Sequence, residues 1–243
     1  MKIERKSPLY DGKSKIIFET DHEDLAIQYF KDDATAFNAQ KKGTILNKGV
    51  LNNQISSQIF RYLEKHGVHS HFVNRISDRE MLVKKLKIIP VEVVVRNKAA
   101  GSICKRLGLE KGTPFKKPLV EYFFKNDSLG DPLISEGHIE YFQWATSSEL
   151  NFMKNTALTV NKMLGPCFEK IGLFLVDFKL EFGRTHRGEL LLADEITLDG
   201  CRLWDTVTGE SMDKDRFRFD LGKVDETYRE VAVRLNHYFE SQL

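Results

Sequence analysis

The sequence predicts an α+β fold of two domains, a mostly antiparallel N-terminal sheet in residues 1–88 and a larger α/β domain in residues 89–243. Two observations predict it. Short segments in which apolar and polar residues alternate recur in the N-terminal part and return after Gly172, and such alternation is typical of strands. Apolar residues at helical spacing occupy three longer segments, which follow Asn47, Thr146 and Asp225.

The composition limits the function. The chain carries 37 Lys and Arg against 35 Asp and Glu, and this balance argues against a dedicated nucleic-acid-binding protein. Since no apolar run could span a bilayer and the N-terminus lacks a signal-peptide core, we expect a cytoplasmic protein that does not bind membranes. The scattered cysteines, Cys104, Cys167 and Cys201, indicate neither a disulfide framework nor a zinc site.

The first element is predicted to be a glycine turn that enters a strand. Gly12, Lys13 and Ser14 resemble the end of a phosphate-binding P-loop, but that motif also requires a glycine where the chain has Ser7, and a helix afterwards. The P-loop interpretation therefore fails. What remains is a turn that presents Lys13 and Lys15 on one side of a strand, where they either cover phosphates or lie in solvent.

Further strands and a helix complete the N-terminal part. Ala26 to Phe30 and the region of Ala36 and Phe37 are predicted to continue the sheet. After Asn47 the apolar residues step by four, which predicts a helix that stops at Gly67; they are Leu51, Ile55, Ile59 and Leu63. For the three following histidines we prefer capping and surface roles over a metal site; they are His66, His69 and His71.

Pro90 is predicted to interrupt one strand, residues 81–90, before another resumes at residues 91–96. The break is either a hinge or a plain connection. In the second strand Glu92, Val94 and Arg96 share a face. We expect Ser102 to be the N-cap of a short helix, residues 103–107; the helix start and Arg96 suit either phosphate binding or ordinary capping.

The middle of the chain is predicted to hold a strand and a long helix. The strand at residues 120–124 delivers Lys125, and Asp131 precedes Pro132 in what is also a common turn. Thr146 and Glu149 form a capping-box pattern ahead of the amphipathic helix, which Gly165 and Pro166 should kink or end early.

The most informative segment is a predicted hairpin within residues 172–205. Alternation predicts that its first strand turns one apolar face to the core, formed by Val176, Phe178, Leu180 and Phe182. Asp177, Lys179 and Glu181 then share the opposite face. Asp194 joins them in any register that pairs odd with even numbers. Such a cluster is either a solvated face with ion pairs or a site in which a cation such as Mg²⁺ relieves the repulsion between carboxylates.

Three motifs in this segment resemble the signature of the SAICAR synthetase family. They are Leu-Val-Asp-Phe-Lys-Leu-Glu-Phe-Gly at residues 175–183, Ala193-Asp194-Glu195, and Asp-Gly-Cys-Arg-Leu-Trp-Asp at residues 199–205. The resemblance extends from about Leu9 to the C-terminal helix. It implies an enzyme of purine biosynthesis that joins L-aspartate to carboxyaminoimidazole ribonucleotide (CAIR) and cleaves ATP to ADP and phosphate.

The resemblance also implies a fold and a set of site residues. The fold would be an ATP-grasp or kinase-like arrangement with ATP between the two domains, in a homo-oligomer for which a dimer is favoured. Glu181 and Asp194 would bind Mg²⁺. Five residues would bind ATP, namely Lys13, Lys15, Lys84, Leu86 and Ile88. Eight would bind the other substrates, namely Glu92, Arg96, Ser102, Lys125, Asp131, Asp199, Arg202 and Arg218.

The resemblance assigns the chemistry to Lys179 and Asp177. Lys179 would contact the reacting carboxylate or the transferring phosphoryl group, and Asp177 would either orient Lys179 or accept the proton of the aspartate amine. Two other functions stay open: a small-molecule kinase on the same scaffold, and a nucleotide-binding regulatory protein without turnover. The charged segment at residues 212–218 is predicted to be a loop or a helix start, and Asp225 the N-cap of the last helix.

Overall fold

A computed structural model describes residues 3–36 and 40–241 of the chain. In those residues the strands are β1 (Arg5–Asp11), β2 (Lys15–Thr20), β3 (Leu25–Phe30), β4 (Asp33–Ala36), β5 (Lys41–Thr44), β6 (Phe72–Arg75), β7 (Glu80–Lys84), β8 (Lys87–Ile88), β9 (Val91–Lys98), β10 (Pro114–Phe124), β11 (Leu133–Ile134), β12 (Leu173–Arg184), β13 (Leu190–Ala193) and β14 (Cys201–Asp205). The helices are α1 (Lys48–Lys65), α2 (Ser102–Leu107), α3 (Glu136–Tyr141), α4 (Ser147–Lys170), α5 (Asp215–Arg218) and α6 (Val224–Glu240). None of these helices is long and apolar enough to cross a membrane.

The first sheet contains five antiparallel strands in the order β1-β2-β3-β7-β6. The predicted glycine turn around Gly12 is confirmed and joins β1 to β2. The expectation that the chain near Ala36 continues this sheet is wrong, because β4 pairs with β5 in a separate two-stranded sheet. Phe37 lies outside the described residues.

The second sheet is built on β12. Its order is β11-β10-β9-β12-β13, and β14 and β8 also pair with β12. The predicted single strand before Pro90 is split, since β7 belongs to the first sheet whereas β8 pairs with Gly183 and Arg184 of β12. The chain therefore crosses between the sheets just after Lys84. A division into two domains at residue 88 stays a prediction.

The main core lies against the second sheet and is covered by α1, α4 and α6. The predicted apolar face of β12 is confirmed for Phe178, Leu180 and Phe182. A β-bulge between Leu175 and Asp177 in the pairing with β14 changes the alternation, so that Leu175 packs in the core cluster in place of Val176, which is buried outside it. The bulge thus decides which side chains of β12 face the core before Asp177.

Two helix starts differ from the predictions. The residue before α2 is Gly101, with φ 65°, so Ser102 is the first helical residue and not the N-cap. The residue before α6 is Lys223, with φ 51°, and the carboxylate of Asp225 instead accepts a hydrogen bond from the Leu46 N–H. In both cases a residue with positive φ precedes the helix, and a side-chain pattern does not encode that conformation.

The start of α4 is as predicted. Thr146 and Glu149 form a capping box in which each side chain accepts the other residue's backbone N–H. Arg184 of β12 also contacts the Glu149 carboxylate, at 2.7 Å from Nη2 to Oε2. The helix does not end early at Pro166 but continues to Lys170.

We expect Glu149→Gln to destabilise the protein by about 1 kcal/mol at pH 7. The hydrogen bond from Arg184 lowers the pKa of Glu149 to about 2. A lowered pKa in the folded state stabilises above pH 4.5, and this contribution is lost as the pH falls from 4.5 towards 2. Urea unfolding of both proteins at pH 7 and pH 3 should show the difference shrinking. Glu230→Gln, which removes an exposed pair with Arg234, is the control; a pH-independent difference for Glu149→Gln would contradict the assignment.

Candidate active site

A cavity of about 270 Å³ is lined by residues of both sheets. The turn between β1 and β2 contributes residues 12–15, and β9 and β12 contribute Glu92, Lys179 and Glu181. A neighbouring cavity of about 260 Å³ shares Glu92 and Lys179 and extends towards Arg96 and Arg202. Larger cavities lie between α1 and α6 and beside α4, but neither lining brings several carboxylates and ammonium groups together.

Among the described residues, six carboxylates and five lysines line the first cavity, and four of these carboxylates and three of these lysines form one connected cluster of ion pairs. Lys179 Nζ lies 2.7 Å from Glu92 Oε1, 2.6 Å from Glu181 Oε1 and 3.5 Å from Asp194 Oδ2. Lys125 Nζ lies 2.6 Å from the same oxygen of Glu181. Lys15 pairs with Asp194 and lies 3.9 Å from Glu195. The predicted convergence is confirmed for Asp194, Glu181 and Lys179, but not for Asp177, which pairs with arginines. The cations that neutralise Glu181 and Asp194 in this structure are lysines.

The pKa values of the central pair follow from these contacts. Burial disfavours the charged forms of Lys179 and Glu181, but each partner's charge outweighs it. As a result the pKa of Lys179 is raised and that of Glu181 is lowered. Both groups stay charged across the whole range in which enzymes work. The expected repulsion between carboxylates is therefore relieved without a metal ion.

Asp194 reaches the cluster for a reason other than the predicted one. In the observed register Glu181 pairs with Ala193, so odd numbers pair with odd numbers, and a continued strand would carry Asp194 to the opposite face. The strand ends at Ala193 instead. Asp194 adopts a left-handed backbone, φ 64°, and this turn directs its carboxylate back towards Lys15 and Lys179.

Beside the cluster, Asp177 is held between two arginines. Its Oδ2 lies 2.7 Å from Arg96 Nη1 and 3.0 Å from Arg202 Nη1. Arg96 also contacts Glu121, and Arg202 contacts Asp215. Asp177 is 3% exposed, so this carboxylate neutralises two guanidinium groups inside the protein. The contacts that position it are to arginines and not to Lys179.

The backbone at Gly101 lies against the second arginine. A Cβ atom at this residue would lie 2.7 Å from Nη2 of Arg202, and φ is 65°, so a side chain here would be both crowded and strained. The hydroxyl of Ser102 accepts a hydrogen bond from Arg106 and lies 3.5 Å from Arg96 Nη2. Arg96 and Arg106 thus both lie close to the hydroxyl of Ser102 at the start of α2, although Ser102 is not the N-cap.

Asp199 is engaged by residues that sequence reasoning missed. Its Oδ2 lies 2.7 Å from the ammonium of Lys48, which is 0% exposed, and 3.5 Å from Lys214. Its Oδ1 accepts a hydrogen bond from the hydroxyl of Tyr228. Lys48 stands in the first turn of a helix, where a lysine is ordinarily solvated, so no pattern in the sequence marks it. Arg218 Nη2 lies 3.5 Å from the Asp199 carbonyl.

Of the two predicted alternatives for this charged segment, the helix start is confirmed, since residues 215–218 form α5, and most of the segment is buried. Asp213 is 0% exposed and accepts backbone hydrogen bonds from Leu203 and Asp215. Burial and the neighbouring Asp215 charge raise the pKa of Asp213 to about 7. Asp215 in turn pairs with Arg202 and Arg218. The segment therefore supports the arginines that border the second cavity.

A family model described as SAICAR synthetase matches residues 8–235. The chain belongs to the SAICAR synthetase family. It is 54% identical over 236 residues to the phosphoribosylaminoimidazole-succinocarboxamide synthase of Novosphingobium aromaticivorans, covering 96% of this chain and 90% of that protein. It is also 54% identical over 233 residues to the synthase of Caldanaerobacter subterraneus subsp. tengcongensis, covering 96% and 99%.

Solved structures of SAICAR synthetases share this fold. The synthase of Ehrlichia chaffeensis superposes with a TM-score of 0.93 at 51% identity, covering 95% of this chain and 98% of that one. A SAICAR synthetase in complex with ADP superposes with a TM-score of 0.90 at 45% identity, covering 93% and 96%. The mixed α/β architecture with antiparallel sheets is therefore that of the SAICAR synthetase family.

The remaining predicted residues lie at the edges of the site. Lys13 pairs with Asp127 at 2.5 Å, and Asp131 accepts a hydrogen bond from the Asn126 N–H. Lys13, Asp127 and Asp131 line the first cavity. Three predicted ATP-binding residues lie in or beside the β7–β8 connection and do not line either cavity, namely Lys84, Leu86 and Ile88. Their proposed contacts with adenine stay a prediction.

The three histidines that follow α1 divide into two groups. His66 and His69 are exposed, as predicted. His71 is not on the surface: it is 5% exposed, and its Nε2 lies 3.0 Å from the Asp194 carbonyl. In the part of the chain that the structure describes, no cluster of three or more His, Cys, Asp or Glu side chains forms a ready metal site.

Proposed function

We propose that the chain is a phosphoribosylaminoimidazole-succinocarboxamide synthase, which joins L-aspartate to the carboxylate of CAIR and converts ATP to ADP and phosphate. One observation carries the proposal. The lysine–carboxylate cluster and the Arg96–Asp177–Arg202 group border two adjoining cavities, and both include side chains of β12, Lys179 and Glu181 in the first and Asp177 in the second. Such a pair of sites suits a polyphosphate beside a phosphorylated co-substrate. The names of the close relatives support the same activity.

The proposed reaction has two steps. The CAIR carboxylate attacks the γ-phosphorus of ATP, and the bond between that phosphorus and the bridging oxygen breaks. ADP leaves, and the carboxylate becomes an acyl phosphate. The amine of L-aspartate then attacks the acyl carbon, loses a proton, and displaces inorganic phosphate to form the amide. Neither step needs a covalent bond to the enzyme, so the protein contributes positioning and charge stabilisation.

We assign the phosphates of ATP to Lys13 and Lys15 and the transferring phosphoryl group to Lys179. Because the pKa of Lys179 is raised by its carboxylates, it remains a cation and acts by charge, not as a base. Asp177 orients Arg96 and Arg202, which favours a positioning role over acceptance of the amine proton. The adenine would lie against the connection of Lys84, Leu86 and Ile88, in an ATP-grasp or kinase-like arrangement.

The residues present fit one Mg²⁺ ion. Glu181 and Asp194 supply hard carboxylate oxygens, and the buried Glu195 Oε2 has no hydrogen-bond partner. Magnesium is usually held by one or two carboxylates together with substrate phosphates, so a site without a three-carboxylate cage is appropriate. Glu181 and Asp194 would hold the ion, which when bound supplies charge neutralisation on the phosphates.

The remaining residues are assigned to the two acceptor substrates. The ribonucleotide would be bound by five residues, namely Arg96, Ser102, Asp199, Arg202 and Arg218. Glu92 borders both cavities and would contact the imidazole part. Lys125 and Asp131, which line the first cavity, would bind L-aspartate and the imidazole carboxylate. As an enzyme of purine biosynthesis the protein would act in the cytoplasm, and a homodimer is the assembly that we favour.

We expect rapid ADP formation only when ATP, CAIR, L-aspartate and Mg²⁺ are all present. Without aspartate, ADP should appear slowly as the acyl phosphate hydrolyses. A coupled ADP assay in which each component is omitted in turn tests this. Rapid ADP release with a hydroxyl-bearing acceptor, and none with CAIR and aspartate, would indicate a small-molecule kinase. Nucleotide binding without any turnover would indicate a regulatory protein.

A further inference from the structure

His71 connects both sheets to the backbone of Asp194. Its own N–H donates to the Leu192 carbonyl at 2.8 Å, and its carbonyl accepts from the Lys84 N–H at 2.7 Å. Its ring packs edge-on against Phe60, with the ring centroids 5.5 Å apart. The position of this side chain is therefore fixed by β13 on one side and β7 on the other.

The ring has one polar contact that bears on the site. Nε2 of His71 lies 3.0 Å from the carbonyl oxygen of Asp194. A carbonyl can only accept, so the proton of the imidazole is on Nε2. Asp194 carries a left-handed backbone, φ 64°, that is uncommon for a residue other than glycine and is favourable only where its surroundings support it.

The direction of the Asp194 carboxylate depends on this backbone. A continued strand would send the side chain to the face opposite Glu181, because Ala193 pairs with Glu181. The left-handed turn reverses that direction and brings the carboxylate to 3.5 Å from Lys179. The hydrogen bond from His71 is accepted by the carbonyl of Asp194 itself, so it restrains the backbone of the residue whose carboxylate is aimed.

We propose that His71 is a positioning residue, whose Nε2–H fixes the left-handed backbone of Asp194 and thereby aims the carboxylate at the metal and phosphates. This inference rests on the proposed function, in which Asp194 is a magnesium ligand. Groups that orient a metal ligand through a hydrogen bond contribute substantially to metal affinity although they do not touch the ion. His71 would act in this way from a different sheet.

Two substitutions separate the effect of the His71 Nε2–H donor from the effect of the size of its ring. His71→Phe keeps an aromatic ring against Phe60 but has no donor, whereas His71→Gln keeps an amide N–H near the position of Nε2. Val160→Ala, in the buried face of α4, is the control for a general loss of stability. Mn²⁺ is the probe, because its binding to the protein saturated with ADP can be followed by electron paramagnetic resonance without turnover.

We expect His71→Phe to weaken Mn²⁺ binding in the ADP complex by about tenfold to a hundredfold. His71→Gln should stay close to the wild type, and Val160→Ala should lower the melting temperature without changing Mn²⁺ affinity. ADP binding without metal should be the same in all four proteins. Wild-type affinity in His71→Phe, or equal losses in His71→Phe and His71→Gln, would overturn the inference.

A crystal structure of each variant without ligand separates this inference from the proposed function. If the wild-type protein binds no Mn²⁺ in the presence of ADP, the proposed metal site is wrong. The positioning role of His71 is then tested by the φ angle of Asp194 in the variant structures alone. Loss of the positive φ in His71→Phe and its retention in His71→Gln would support the positioning role. Retention of that φ in both variants would overturn it.

Discussion

Glu181→Gln is expected to lower the rate of amide formation by about 10²-fold or more and to weaken the apparent affinity for Mg²⁺. Glutamine keeps the shape of the side chain but removes the charge that would hold the ion between the ATP phosphates. Asp194→Asn should act in the same way. Asparagine also tolerates a left-handed backbone, so this second substitution changes the charge without disturbing the turn.

The stability of the Glu181→Gln variant shows whether the Glu181 carboxylate mainly repels its neighbouring carboxylates or mainly stabilises the fold through its ion pairs. Relief of carboxylate repulsion would make the variant as stable as the wild type or more so. The structure indicates the reverse, because Glu181 is 2% exposed and lies 2.6 Å from both Lys179 and Lys125. Removal of this partner leaves two ammonium groups less compensated, and we expect a loss of about 1–3 kcal/mol.

Rates at several Mg²⁺ concentrations and melting temperatures without ligand test these expectations together. Glu189→Gln, at an exposed acid between β12 and β13, is the matched control and should change neither quantity. A lower melting temperature combined with an unchanged Mg²⁺ requirement would mean that Glu181 is only structural. In that case the assignment of Glu181 as a metal ligand would be withdrawn.

Arg202→Ala and Arg96→Ala are each expected to weaken CAIR binding by about 2–4 kcal/mol, while ATP binding changes little. Both guanidinium groups border the second cavity, where they would meet the ribosyl phosphate. Each variant also leaves Asp177 with one arginine in place of two, so the melting temperature should fall as well.

Calorimetric titration of both variants with CAIR and with ATP, below their melting temperatures, separates ligand binding from stability. Arg75→Ala removes an arginine that pairs with the exposed Asp78, and it should leave both affinities unchanged. If the affinities for CAIR and ATP fall equally, our assignment of these arginines to CAIR is wrong. Unchanged CAIR affinity would mean that they only hold Asp177.

The sequence predicted correctly those site residues whose position depends only on the alternation of side chains along a strand. Asp177, Lys179 and Glu181 were recognised because a strand separates them from its apolar face, and that separation holds in the structure. The hairpin does not adopt a register that pairs odd with even numbers, and Asp194 reaches the cluster through a backbone torsion instead. No side-chain pattern encodes that torsion, since Asp is common in many conformations.

The other errors have a shared physical origin. Ser102 and Asp225 were expected to cap helices by their side chains, but residues with positive φ precede both helices. Lys48 was not identified, and His71 was wrongly assigned to the surface, because the contacts of both depend on partners that are distant along the chain. Local periodicity predicts which faces are buried, whereas contacts between sheets and the ends of elements depend on the assembled fold.

The buried Lys48–Asp199–Tyr228 contact has a consequence for synthesis on the ribosome. Lys48 is 151 residues from Asp199, and Tyr228 lies a further 29 residues along the chain. A buried ammonium without its carboxylate is strongly unfavourable, so α1 cannot settle into its final position while the nascent chain lacks these partners. We therefore expect α1 to reach its final position only after almost the whole chain has been made, and its apolar face, which carries Ile55 and Ile59, to stay uncovered until then.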